Sequence, residues 1–289
     1  MFKGVTLGFL AFALFSLSDA CVKAIHGALP PYQVSFFGAA FSVVVLPFIW
    51  RRGETVMDLV RAKRPWLWVA RGALGTLGSF SSVTAFSHLS MAEAFALIFL
   101  MPLTTTALSV FVLKEKVSRQ GWAAIVLGFI GVLIVLRPGF REIGIGHIAA
   151  LTCGLCGSAL SVLLRYVGHD EKPVNLFGAA MIAPMIISAV LMVPGYVPPT
   201  GWQWLAIFGF AVLAAAANIA LMIASRRSPA SRIAPTQYSQ MLWGLLLGYL
   251  FFGDRLDVFT GLGVVVIVGA GLWLFLPKAA SRAASPAEL

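Results

Sequence analysis

Asp19 and Lys23 stand four residues apart in an otherwise apolar run, and His88 and Glu93 flank the junction of two later apolar runs. Residues four apart share one face of a helix. Ionisable side chains inside a lipid-spanning segment face a cavity or a partner, because hydrocarbon cannot solvate them. A carboxylate or an imidazole in such a place can take up and release a proton, so Asp19, His88 and Glu93 are candidate proton carriers. Counting from Gly4 at about 1.5 Å per residue puts Asp19 roughly 22 Å into its helix, in the outer third of a bilayer. Lys23, His88 and Glu93 fall at similar depth, which makes an outer vestibule the expectation. The structural alternative is a local pair in which Lys23 extends its stem towards water.

Other polar groups sit nearer mid-membrane. Pro102 interrupts its run, removes the hydrogen bond to the Ile98 carbonyl and predicts a kink. Backbone freed at that depth must be satisfied by protein or by a watery cavity. A late run places Gln237, Tyr238, Gln240 and Trp243 together, an aromatic and amide set richer than lipid-facing filler requires. Ser158, Ser161 and Asn218 are weaker polar candidates. Gly72, Gly75 and Gly78, followed by Ser79, Ser81, Ser82 and Thr84, read as close helix packing or as the polar wall of a cavity.

Enzyme chemistry finds no footing. The sequence has no H-E-x-x-H, no G-x-S-x-G and no metal-binding cluster. Cys153-Gly-Leu-Cys156 has redox spacing but lies inside an apolar run, so Cys21, Cys153 and Cys156 read as small packing residues. No catalytic residue, metal or cofactor is expected.

The elements that carry these residues follow from composition. Hydrophobic residues make up 60% and charged residues 11%, with a mean hydropathy of +0.92. A soluble domain holds about 25% charged residues, so lipid must solvate most of this chain. Spans of roughly 20 apolar residues are expected near 4–26, 31–50, 66–87, 90–113, 121–137, 146–166, 174–193, 202–224, 233–252 and 259–276. The first run has the outline of a signal peptide, but it stays apolar through Cys21-Val22 and is expected to be retained. The net charge of +10 raises nucleic acid as a partner, but its placement argues against it. With the N-terminus inside, Lys3, Arg51, Arg52, Arg61, Lys63, Arg64, Lys114, Lys116, Arg119, Arg165, Lys172, Arg226, Arg227, Arg232, Lys278 and Arg282 all fall on the inner side. Arg137, Arg141 and Arg255 fall outside. That is the positive-inside bias of a polytopic membrane protein with both termini in the cytoplasm. The basic, Trp-bearing loop Arg51–Trp68 is expected to rest on anionic lipid.

The run Met91–Pro138 has an echo at Ile233–Pro277: an apolar helix, a charged hairpin, then a glycine-bearing apolar helix. Lys114-Glu115-Lys116 stands where Gly253-Asp254-Arg255 stands in the second copy. Five spans per half turn the second copy upside down, the architecture of alternating-access carriers. The expected division is 1–140, 141–278 and a cytoplasmic tail 279–289.

Pro102, Leu113-Lys114-Glu115, Gly121, Gly131 and Leu136-Arg137-Pro138, with Lys23 and Arg71-Gly72, resemble the EamA domain of the drug/metabolite transporter superfamily. Tyr238, Gly253-Asp254 and Gly261 repeat the pattern more loosely. Within that superfamily the chain is most similar to bacterial amino-acid exporters of the YddG kind. The resemblance implies an all-α polytopic membrane protein of ten transmembrane helices in two inverted five-helix repeats, in the bacterial inner membrane. It implies a central cavity lined by spans one, three, four, six, eight and nine, which puts Asp19, Phe80, Phe95, Phe99, Ser158, Asn218, Tyr238 and Trp243 on substrate-binding helices. Glu115 and Asp254 then read as caps of helix ends. The implied function is export of amino acids, aromatic and other neutral ones, with protons as a possible coupling ion. Efflux of drugs or purine-like metabolites by the same fold is the alternative, and a non-transporting receptor or scaffold is a remoter one.

Overall fold

The computed structural model describes residues 2–50, 53–139, 142–167, 173–227 and 233–274. Arg51, Arg52, Arg141, Lys172, Arg232, Lys278, Arg282 and the expected tail 279–289 lie outside the described residues. Helices α1 (Phe2–Ala24), α4 (Pro65–His88), α7 (Arg119–Leu136), α8 (Ile145–Val167), α9 (Pro173–Met192) and α10 (Gly201–Arg227) are each continuous. Span two is composite, with α2 (Pro31–Phe41) leading through a 3-10 turn at Ser42–Val45 into α3 (Leu46–Ile49). Span four is broken into α5 (Met91–Ile98) and α6 (Met101–Val112). Span nine opens with a 3-10 segment, Ala234–Tyr238, before α11 (Ser239–Phe252), and α12 (Val258–Leu274) completes ten crossings. No β-strand occurs among the described residues.

The break in span four lies where proline predicts it. Pro102 offers no N–H to Ile98, and the helix parts at Phe99–Leu100. The loosened backbone is received by α8. The Ile98 carbonyl lies against Gly154, where a Cβ would come within 3.0 Å of it. Ser158 Oγ lies 3.0 Å from Met101 O and 2.8 Å from Gly154 O. A glycine and a serine one turn apart thus make room for the break and satisfy it.

Packing shows the inversion. α1 packs along α10 and α4 along α8, and exchanging the two halves of the chain converts one interface into the other. The contacts of α7 with α12 and of α2 with α9 map onto themselves. At the α7–α12 crossing a Cβ on Gly263 would sit 2.8 Å from Gly131 O, so small residues set the approach there. Polarity follows from the hairpins. The 253–257 hairpin meets the C-terminal end of α1 through Asp254 and Lys23, whereas the 113–118 hairpin meets the C-terminal end of α8 through Glu115 and Arg165. α1 and α8 therefore run in opposite directions. Arg61, Lys63, Arg64, Lys114, Lys116, Arg119, Arg165 and Arg227 gather at one end, called here the basic face.

Candidate functional site

A cavity of about 450 Å³ lies between spans two, three, seven and eight, in the half of the protein nearer the basic face. Ser35, Ser42, Arg71, Ser79, Phe177 and Phe210 give it its chemistry, together with Asn218 at its rim. Gly75 opens onto it and has nothing within 4 Å of a built Cβ, whereas Gly72 packs on Ala183 and Gly78 on Cys156. The Gly-x-x-Gly-x-x-Gly run thus serves both expectations: two glycines pack helices and the one between them lines space. At the cavity's far end Ser35 and Ser79 hydroxyls are 2.7 Å apart. Beyond them Gln33, fully buried, closes the path by donating to Val197 O at 2.6 Å and accepting from Val197 N at 3.0 Å.

The end opposite the basic face is tied shut. Lys23 Nζ sits 3.2 Å from Asp254 Oδ2 and donates to Leu89 O at 2.8 Å. The same carboxylate oxygen accepts from Met91 N at 2.8 Å. Gly253, left-handed at φ 64°, ends α11 and turns the chain so that Asp254 reaches back. Span one, the turn between spans three and four, and the hairpin between nine and ten are thereby joined. Beside this knot Glu93 Oε1 lies 3.2 Å from His147 Nε2, both side chains buried. Gly144 N donates to His147 Nδ1, so a neutral His147 carries its proton on Nε2 and donates it to Glu93. Arg137 and Asp257 pair at 2.8 Å further out.

A file of rings runs through the buried core of spans three, four and nine. Phe86 meets Phe95 at 5.1 Å, Phe95 meets Phe99 at 6.0 Å, and Phe99 meets Tyr238 at 5.9 Å between centroids. All four are buried. The Phe95 ring lies directly on Gly244, leaving no room there for a Cβ.

The residues proposed from sequence divide accordingly. Asn218 is at the cavity, its Nδ2 donating to Ala214 O one turn back. Phe95, Phe99 and Tyr238 are in the ring file, and Ser158 supports the break in span four. Phe80 is half-buried and lies outside the residues lining the cavity. Trp243 is exposed, with Leu242 and Leu246 exposed beside it, so it faces outward. Asp19 accepts from Gln240 Nε2 at 3.0 Å, while Ser16 Oγ donates to Gln240 O at 2.7 Å, a junction of spans one and nine. His88 is exposed and bonds only its own helix at Thr84 O among the described residues. The expected vestibule thus resolves into separate contacts: Lys23 with Asp254, Glu93 with His147, Asp19 with Gln240, and His88 at the surface. Asp254 is more than a helix cap, because it ties the two halves together. Sequence reasoning missed His147, Ser35, Phe177 and Phe210, which carry no spacing signal, and used Arg71 only as a mark of the family resemblance.

Ten crossings, inverted halves, a cavity nearer one face and an ion-paired closure at the other define a polytopic membrane transporter. The EamA-like transporter family matches residues 2–137 and again residues 144–276, and the chain belongs to that family. It is 25% identical to the S-adenosylmethionine uptake transporter of Rickettsia prowazekii, over 94% of this chain and 92% of that protein. It is 28% identical to the riboflavin transporter of Rhizobium johnstonii, over 86% and 82%. It is 24% identical to the pseudopaline exporter CntI of Pseudomonas aeruginosa, over 96% and 97%. A solved crystal structure shares the fold at a TM-score of 0.62 and 22% identity, covering 93% of this chain and 95% of the other.

Proposed function

We propose that this protein exports small metabolites, with aromatic and other neutral amino acids as substrates, by alternating access across a bacterial inner membrane. In this reading the basic face and both termini are cytoplasmic, in keeping with the positive-inside bias. The observation that carries the reading is the cavity near the basic face, paired with ion-paired closure of the opposite end. Phe177 and Phe210 supply apolar surface for a side chain, while the Ser35, Ser42 and Ser79 hydroxyls supply hydrogen bonds for a substrate's uncharged polar groups. In this reading the ring file Phe86–Phe95–Phe99–Tyr238, which packs spans three, four and nine together, parts in the other state. The test is flux of labelled amino acids into proteoliposomes; no flux above empty vesicles for any of them sinks the reading. Relatives named for uptake and for export make direction a separate question, answered by comparing flux in the two orientations of the reconstituted protein.

A flat heteroaromatic substrate is the second reading, favoured by the two phenylalanines of the cavity wall and by the riboflavin transporter among the relatives. A panel including purines and flavins separates the two. Protons are the proposed coupling ion. Asp19 is the first candidate, since it bridges spans one and nine through Gln240 and so senses their relative movement. Asp19→Asn should keep the fold and lose pH-dependent flux; unchanged coupling removes Asp19 from the mechanism.

A further inference from the structure

We infer that Arg71 is the substrate-selecting residue of the cavity, and that it takes compounds bearing an anionic group, a carboxylate or a phosphate, over their neutral analogues. Among the described residues lining the cavity Arg71 is the one ionisable group. It stands six residues into α4, roughly 9 Å along the axis from Pro65, where hydrocarbon begins to replace water. Its Nε donates to Leu176 O at 2.8 Å, which fixes the plane of the guanidinium against the start of α9. The two terminal nitrogens have no protein acceptor among the described residues, and no acid lines the cavity to neutralise them.

A guanidinium pinned by one nitrogen presents its remaining donors as a planar fork, the geometry that matches a carboxylate or phosphate in bidentate fashion. Placing such a charge at the edge of the hydrocarbon is costly unless an anion meets it. The Ser35–Ser79 hydroxyl pair lies deeper along the same cavity, with Phe177 and Phe210 also on its wall. The lining thus offers a cation on the side of the basic face, apolar wall and a neutral hydrogen-bonding end. A substrate of complementary build has an anionic head, an apolar body and, at most, an uncharged polar far end. A permanently cationic compound with no anionic group is excluded by the same field.

The inference rests on the transport reading only for what happens after binding, so binding is what tests it. Purified protein is melted with matched pairs, N-acetylphenylalanine against N-acetylphenylalaninamide and N-acetylleucine against N-acetylleucinamide, whose acylated nitrogens carry no charge, and with phenyl phosphate against benzyl alcohol. The acid of each pair should stabilise at concentrations about tenfold or more below those its neutral partner requires, the factor of one charge-assisted contact worth about 1.4 kcal/mol. Arg71→Gln should erase that preference, and Arg71→Lys should restore part of it. Equal stabilisation by acid and amide in the unmodified protein overturns the inference, as does a preference that survives Arg71→Gln; neither result needs a variant that folds poorly. Melting the protein in phosphatidylcholine alone and with phosphatidylglycerol added covers the remaining anion. If the acid preference is absent and phosphatidylglycerol stabilises only protein that retains Arg71, then a lipid headgroup occupies the fork and the substrate assignment is wrong. Acid-selective binding without flux would leave this site standing and sink the carrier reading instead.

Discussion

Lys23 Nζ lies 3.2 Å from Asp254 Oδ2, and this pair joins the first half of the chain to the second. Its counterpart under exchange of halves is Arg165 with Glu115, at the opposite end of the fold. Both cations occupy the last turn of the first helix of their half. The two pairs differ in surroundings. Side-chain exposure is 12% and 17% for Lys23 and Asp254, against 52% and 40% for Arg165 and Glu115. Inverted halves that exchange conformations would exchange these environments, burying the second pair and wetting the first.

Asp254→Asn should destabilise the protein by about 1–3 kcal/mol, since it leaves the Lys23 ammonium largely buried without its charge partner. Thermal melting reads this directly. Exchanging the two residues, Lys23→Asp with Asp254→Lys, should recover part of the loss, and a melting temperature unmoved by Asp254→Asn would show that the pair does not hold this end.

Arg165→Gln and Glu115→Gln should cost less than about 1 kcal/mol in the same assay, because an exposed pair is solvated and screened. If the halves trade roles, Glu115→Gln should nevertheless slow flux by about tenfold, a barrier change of about 1.4 kcal/mol. A rate equal to that of the unmodified protein would confine Glu115 to the surface role of a helix-end cap.

Gly244→Ala should lower stability by about 1–3 kcal/mol through overpacking, because the Phe95 ring occupies the place of the new methyl. Adding Phe95→Leu should relieve part of that cost. Two independent losses that merely add would show that Phe95 and Gly244 are not in contact.

Asp257 supplies a pH test outside the membrane. Burial alone would raise its pKa, but hydrogen bonds from the Thr260 hydroxyl and the backbone N–H groups of Thr260 and Phe259, with Arg137 nearby, bring it below the usual carboxylate value. A depressed folded-state pKa contributes stability that is present above the unfolded value, about 3.9, and is lost as pH falls through the folded one. Asp257→Asn should therefore flatten the decline in melting temperature below about pH 4, while leaving pH effects above that unchanged.

The fold was legible because its signals are local. Apolar runs, basic segments and the repeated hairpins with Glu115 and Asp254 each depend on residues close in sequence, and Pro102 breaks its helix through one missing N–H. The site depends on which face of a helix meets which neighbour. Phe95, Phe99 and Tyr238 are on the expected spans, but they turn towards one another and fill the core, while Trp243 turns away. Arg71 becomes a cavity residue only because Leu176 O anchors its Nε, a contact between residues 71 and 176 that no spacing rule reveals. His147 likewise gains meaning only beside Glu93.

The central claim is that transport requires the Lys23–Asp254 end to open. The direct measurement is flux of a labelled substrate in proteoliposomes holding Lys23→Cys with Asp254→Cys, in a background where Cys21, Cys153 and Cys156 are replaced by Ala. Flux is read before and after joining the two thiols with a short cleavable bifunctional reagent. Cross-linking should abolish flux and cleavage of the linker should restore it. Flux that continues unchanged while that end is held closed would contradict the account.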